Sequence, residues 1–424
     1  MFADTTPLKT PAFRRLWTAS IITVIGAQMT VVAVPAQIYQ ITGSSAYVGL
    51  SGLFGLVPLI VFGLWGGALA DAMNRRTLMM ITTVGLLATG AALWLQAAAG
   101  IGNVWLLLVI FAAQQAFFAI NSPTRAAIYP RILPLDQLPA ANSLHMTVMQ
   151  FGAIVGPTIG GVLIATVGLS TLYLIDAITL LATFWAVIRL PSLPPTGPTM
   201  RPGLKSVIAG FGYLIGQKIL LASFIVDIIA MVFGMPRALF PQMAHEDFGG
   251  PVDGGNQLGL LFAAMSIGAV LGGVFSGWLP TVRRQGLVVV VAIAVWGAAM
   301  GGFGLAGLGG SNLFWLALVL LAVGGMADMV SAALRSTMLQ QIATDEMRGR
   351  LQGVFVVVVA GGPRIGDVAH GGAAAVVGAS AAAAGGGMLV VLGVVVAALA
   401  LPSFLRYRAD LGPDGRAPVR SEKV

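Results

Sequence analysis

Six ionisable residues fall inside stretches otherwise built from apolar side chains: Asp176, Asp227, Arg237, Asp328, Arg364 and Asp367. A charge in hydrocarbon is expensive, so such a residue marks ion, proton or substrate chemistry by default. Five of the six lie in the second half of the chain. Asp328 and Arg335 are seven apart, hence on one helical face, with Ser331 between them. Arg364 and Asp367 follow Pro363 and are three apart, close enough for an ion pair on one helix. Asp227 and Arg237 are ten apart, too far to pair directly. The chemistry this pattern offers is proton exchange. Burial penalises a carboxylate, a proton neutralises it, and its arginine partner is then loosened. Asp227, Asp328 and Asp367 are the leading candidates, and static salt bridges are the alternative. Asp176, near the outer end of its stretch, reads as structural. His370 reads either as a relay beside Asp367 or as a packed polar residue.

In the first half, Gln114, Phe118, Asn121 and Arg125 fall on one helical stripe. With Gln28 they form a candidate polar, aromatic-flanked cavity; bonding between helices is the equal alternative for the amides. Other chemistries are missing. With no cysteine there is no disulfide, thiolate catalysis or Cys-ligated metal. The three histidines, His145, His245 and His370, are far apart, so no metal site is expected. No HExxH, GxSxG or Walker A pattern occurs in an interpretable context. Neither an enzyme nor a bound cofactor is expected.

The elements that position these residues follow from composition. Hydrophobic residues make up 57% and charged residues 9% of 424 positions, against about 25% charged in a soluble domain. Mean hydropathy is +0.91. The matching solvent is a bilayer, which a helix of ~20 apolar residues crosses. Polar punctuation divides the chain into twelve candidate spans: 16–41, 46–70, 78–99, 104–129, 144–166, 170–190, 219–243, 257–280, 287–308, 313–342, 351–377 and 382–402. The last boundary falls near Gly378–Ser380, with Gly385–Gly387 as the alternative.

If the spans alternate, all Lys and Arg except Arg237 and Arg364 sort to one side. That side is the cytoplasm, with both termini inside. The net charge of +8 is then topological and implies no nucleic-acid partner. The N-terminus has no apolar core with a small-residue cleavage site, so a removed signal peptide is not expected.

The Pro/Ser/Thr-rich segment 191–218 separates six spans from six and closes on a candidate surface helix. A shift of 210 residues aligns Gly67 with Gly277, Leu69 with Leu279 and Arg125 with Arg335. Duplicated bundles are one of the known transporter designs. The expected fold is all-α and membrane-embedded, with twelve transmembrane helices in two pseudo-symmetric six-helix bundles. The first bundle is 1–190, the linker 191–218, the second bundle 219–402, and the cytoplasmic tail 403–424.

The loop after the second span reads Gly66-Gly67-Ala68-Leu69-Ala70-Asp71-Ala72-Met73-Asn74-Arg75-Arg76. It resembles the signature loop of the major facilitator superfamily at Gly67, Leu69, Asp71, Arg75 and Arg76. Ala72 replaces a usual basic residue and Asn74 a usual Gly; Asn tolerates positive φ next best, so the turn is expected to survive. The resemblance implies that Gly67, Asp71, Arg75 and Arg76 latch one conformation, the alternative being that the arginines are topogenic charges. The equivalent loop of the second half, Gly277 to Arg284, lacks the acid.

In the fifth span, Gly152, Gly156, Pro157, Gly160 and Gly161 form GxxxGPxxGG. This resembles the motif of antiporter branches, which implies export rather than uptake. Three further runs resemble the enterobactin-exporter branch, which neighbours macrolide and multidrug effluxers: Ala33–Ser51, Phe117–Asn142 and Met338–Arg350. The resemblance implies a monomeric, proton-driven exporter of a siderophore or an amphipathic drug-like small molecule, in the inner (cytoplasmic) membrane. An uptake symporter on the same fold and a non-transporting membrane protein are the alternatives.

Overall fold

The computed structural model describes residues 4–194, 212, 214, 216–342 and 345–408. The side chains at 64, 67, 68, 70, 71, 340, 345–357, 359 and 360 lie outside the described residues. The expected surface helix before 218 and most of the tail fall largely outside them as well. No strand occurs among the described residues.

The long helices are α1 (Pro11–Thr42), α2 (Ser45–Ala72), α3 (Arg75–Ala98), α4 (Val104–Ile132), α5 (Leu138–Ile188), α6 (Lys218–Gly234), α7 (Asn256–Val274), α8 (Gln285–Leu308), α9 (Phe314–Ile342), α10 (Asp345–Val377) and α11 (Ala379–Ala400). Among the described residues, ten helical stretches are long and apolar enough to cross a bilayer. The chain is a multi-pass helical membrane protein. Large apolar side chains such as Trp65, Val274, Trp315 and Leu399 stand exposed, as lipid-facing residues do.

Local chemistry sets the helix ends. Ser44 and Asn103 cap α2 and α4, accepting bonds from the Ala46 and Trp105 backbone N–H groups. Gly43 ends α1 in the left-handed region at φ 62°, which Gly enters without a Cβ clash. The 51 residues of α5 would measure roughly 76 Å if straight, over twice the hydrocarbon thickness of about 30 Å. They do not run straight. Gly168 breaks the helix at φ 79°, ψ 166°, between the predicted fifth and sixth spans. Gly378, at φ 85°, separates α10 from α11, which decides between the two predicted split points.

Two predicted spans differ from the helices observed. The span at 219–243 is not one helix. α6 stops at Gly234, because Pro236 has no N–H to continue the ladder and disfavours helical geometry at Met235. Short turns follow, ending in a π-turn at Met243–Asp247. Arg237 thus sits on a turn after the helix. The span at 257–280 is helical only to Val274, and a 3-10 turn covers Ser276–Thr281.

The chain forms two compact units. One contains α1–α5 together with Phe240–Ala263; the other contains α6 through Leu239 and the chain from Ala264 onward. In the first unit α1 packs along α5, α2 along α4, and α3 against α4 and α5. In the second, α8 packs on α9 and α11, and α10 and α11 pack on α6. Apolar clusters weld the helix ends: Leu16, Met79, Ile128 and Val187 in the first unit, Leu220, Phe224, Leu339 and Val358 in the second.

Candidate functional site

In the second unit the charged residues converge. Asp227, on α6, and Arg335, on α9, form an ion pair with Oδ2 2.5 Å from Nη1. Both are buried, with 1% and 4% of their surface exposed. Arg335 Nε also donates to Ser331 Oγ at 3.1 Å, one turn back on α9. The Arg335 partner is therefore an acid on another helix. Asp328, on the same face of α9, is half-buried and feels the charges of Arg335, Asp227 and Arg237.

A second group adjoins the first. Asp367 accepts a hydrogen bond from the Ala238 backbone N–H and lies within electrostatic reach of Arg364 and Arg237. Its Oδ1 is buried without a hydrogen-bond partner. Arg237 Nη2 contacts Met265 Sδ at 3.9 Å, and the Arg237 side chain is exposed. Arg237 joins the groups because it interacts with Asp328 and with Asp367. A guanidinium inside an apolar segment is tolerable where it pairs with acids or reaches water, and Arg237 has two acids within electrostatic reach. His370 is engaged elsewhere. Its Nδ1 meets the Gly366 carbonyl at 3.1 Å, and the ring also bonds the Phe233 backbone. This is the setting of a packed polar residue.

In the first unit the five residues of GxxxGPxxGG are all buried. Gly152 faces Val24, Gly156 faces Ile25 and Gln28, and Gly160 faces Met29, so α1 lies in the groove the glycines leave. Gly161 faces another way. A Cβ there would lie 2.6 Å from Gly259 Cα and 2.7 Å from the Gly255 carbonyl oxygen. Gly259, at the start of α7, is equally close to Pro157 O. Neither backbone can yield, so only glycine fits. The same segment bonds to α1 and α2: Tyr39 O–H donates to Glu246 at 2.6 Å and Ser45 O–H to Gln242 at 2.8 Å. Gln242 Nε2 in turn donates to Glu246 at 2.8 Å. Sequence reasoning missed this cluster, whose partners are about 200 residues apart and carry no spacing signal.

The α2–α3 turn is fastened differently from expectation. Asn74 has φ −58° and does not use positive φ. It caps α3 instead, its Oδ1 accepting from Arg76 N–H at 3.0 Å and Leu193 N–H at 3.3 Å. Its Nδ2 donates to Ser192 Oγ at 2.7 Å, and Arg76 Nη2 to the Ile188 carbonyl at 2.6 Å. Arg75 N–H bonds the Leu193 carbonyl. The turn is thereby pinned to the end of α5. The surroundings of Gly67 and the Asp71 side chain lie outside what is described.

The expected cavity stripe on α4 divides. Asn121 is buried and donates to Thr82 Oγ1 on α3 at 2.9 Å. Gln114 is buried too. Neither lines an open surface, and for Asn121 it is α3 that packs over it. Phe118 is exposed, Gln28 and Arg125 are half-buried, and Arg125 Nη1 donates to Ser20 Oγ on α1. Among the described residues no group of His, Asp and Glu has the arrangement of a metal site.

The profile of the "transmembrane secretion effector" family matches residues 3–413. The chain belongs to that family. It is a transmembrane transporter of the major facilitator type and not an enzyme. This secretion-effector chain is 32% identical over 386 residues to the enterobactin exporter EntS of Escherichia coli, covering 86% of each chain. The counterpart in Escherichia fergusonii matches equally. Among solved structures, a bacterial homologue of the iron transporter ferroportin, in an inward-facing state, aligns with TM-score 0.67 at 16% identity, over 93% of this chain and 99% of that one. A D-xylose–proton symporter aligns with TM-score 0.70 at 13% identity, over 92% and 97%. At such identities these likenesses show the fold alone.

Proposed function

We propose that this secretion-effector transporter exports a small molecule, a siderophore or an amphipathic drug-like compound, in exchange for protons by alternating access. Twelve spans in two six-helix bundles would carry it, with both termini in the cytoplasm of a bacterial inner membrane. The observation that carries the reading is the similarity to an enterobactin exporter over 86% of both chains. The packed GxxxGPxxGG span supports the direction.

Coupling falls to the second unit. Protonating Asp227 would release Arg335, and Asp328 is placed to take up the freed guanidinium. Asp367, within electrostatic reach of Arg237 and Arg364, offers a second exchangeable carboxyl. Phe118, Gln28 and Arg125 remain as cavity candidates in the first unit, and Gly67, Asp71, Arg75 and Arg76 as the latch. Everted membrane vesicles test the reading with enterobactin as the probe. Accumulation abolished by a protonophore is expected. Enterobactin entry into right-side-out cells alone would refute export. Unchanged pH dependence in Asp227→Asn, Asp328→Asn and Asp367→Asn would refute the coupling assignment.

A further inference from the structure

The charge cluster leaves one buried carboxyl unused. Asp176 lies on the second arm of α5, past Gly168, and is 2% exposed. Its Oδ2 accepts a hydrogen bond from Thr30 Oγ1 of α1 at 2.6 Å. Its Oδ1 is buried with no hydrogen-bond partner and faces Gly26, where a Cβ would come within 2.9 Å of it. The surrounding helices carry no balancing charge at this depth. There is no Lys, Arg, His, Asp or Glu from Leu16 to Thr42 on α1, from Thr77 to Ala98 on α3, or from Val104 to Thr124 on α4. The arm 169–188 holds none besides Asp176.

A run of buried polar side chains leads from the carboxyl to a cavity. Tyr173, one turn back, interacts with Asp176, and its hydroxyl donates to Gln37 Oε1 at 2.9 Å. Gln37 and Gln96 exchange amide hydrogen bonds of 3.1 and 2.9 Å. Both glutamines line a cavity of about 370 Å³ where α1, α3 and the first arm of α5 end, walled also by Gln40, Ser170 and Asp253. The titratable groups on the approach are thus Tyr173 and Asp253.

We propose that Asp176 is a proton-binding site of the first unit, reached from this cavity past the Gln37–Gln96 pair and Tyr173. A buried carboxylate with one hydroxyl donor and no cation is less favourable than the neutral acid. A hydronium ion gives its proton to Oδ1, forming the O–H bond, and leaves as water; release is the reverse. The Thr30 bond to Oδ2 survives in both states. Proton arrival and loss therefore act on the contact of α1 with α5 along Gly26 and Thr30. The role in transport rests on the proton-exchange reading; the binding of the proton does not.

Infrared difference spectra between acidic and alkaline buffers, on the full chain in lipid nanodiscs, test the site. The wild type is expected to show the C=O band of a carboxylic acid that comes and goes with pH. Asp176→Asn should lose it and Asp227→Asn keep it. Thr30→Ala should move it to higher frequency, since the carbonyl oxygen loses a donor. If Asp176→Asn does not fold, the Thr30→Ala shift decides. Identical band patterns in wild type and Asp176→Asn, no shift in Thr30→Ala, or a band that never changes with pH would each overturn the proposal. Vesicle transport is scored separately, so an intact band with no protonophore-sensitive transport sinks the exchange reading and leaves the site.

Discussion

Replacing Asp227 by Asn removes one charge of a pair whose members are 1% and 4% exposed. The Arg335 guanidinium then keeps its charge and its bond to Ser331 but loses the carboxylate 2.5 Å away. Breaking one side of a buried pair costs about 3–5 kcal/mol, because the remaining charge is still out of water. Asp328, also within reach of Arg335, reduces that cost toward the lower end. For a unit of roughly 200 residues this corresponds to a melting temperature lower by on the order of 10 °C. Removing both charges, as Asp227→Leu with Arg335→Met, should restore most of the loss, since a packed apolar pair of similar volume is about neutral or better. Thermal unfolding of the detergent-solubilised wild type, Asp227→Leu, Arg335→Met and the double variant, followed by scattering and tryptophan fluorescence, gives all four corners of the cycle, with Asp227→Asn measured beside them. Additive losses in the double variant, or an Asp227→Asn midpoint within about a degree of wild type, would refute the claim that the pair is dry and mutually dependent.

Three further outcomes follow from the geometry. Gly161→Val should sharply reduce transport and lower stability by at least 1–3 kcal/mol, roughly the cost of overpacking, because the new side chain meets the backbone at Gly255 and Gly259; Thr158→Val, on the same helix, should be tolerated in the same vesicle assay. Asn74→Ala should cost about 1 kcal/mol through the lost cap of α3, whereas Asn74→Gly should cost only a few tenths of that if the cap is the whole effect; thermal midpoints separate the two. Tyr39→Phe and Glu246→Gln each weaken a charge-assisted bond of about 1.5–3 kcal/mol, and the two losses should be non-additive by about 1 kcal/mol in a double-mutant cycle.

The helical, membrane-embedded class was legible because hydropathy is a sum over local residues. A run of ~20 apolar side chains has few other stable fates. A break between 166 and 170 was legible for a similar reason, since the turn chemistry of glycine is local, whereas the choice of Gly378 over Gly385–Gly387 fell to the structure. The candidate acids could be named because a charge among apolar neighbours stands out whatever surrounds it in space. What each acid touches was not legible. Asp328 and Arg335 share a face, yet the carboxylate that pairs with Arg335 comes from Asp227 on α6. Asn121 and Phe118 share a stripe on α4, but packing of α3 buries one and leaves the other open.

The sequence by itself determined that this chain lives in a bilayer as helices, where most of them run, and which side chains are costly enough to matter. The tertiary structure alone decided their partners: Arg335 with Asp227, Gly161 with Gly259, Tyr39 with Glu246, Asp176 with Thr30 and no cation. The division has one physical cause. Hydropathy and capping act within a few residues along the chain, whereas an ion pair or a backbone contact depends on which helices pack together, and helices far apart in sequence carry no local mark of that choice.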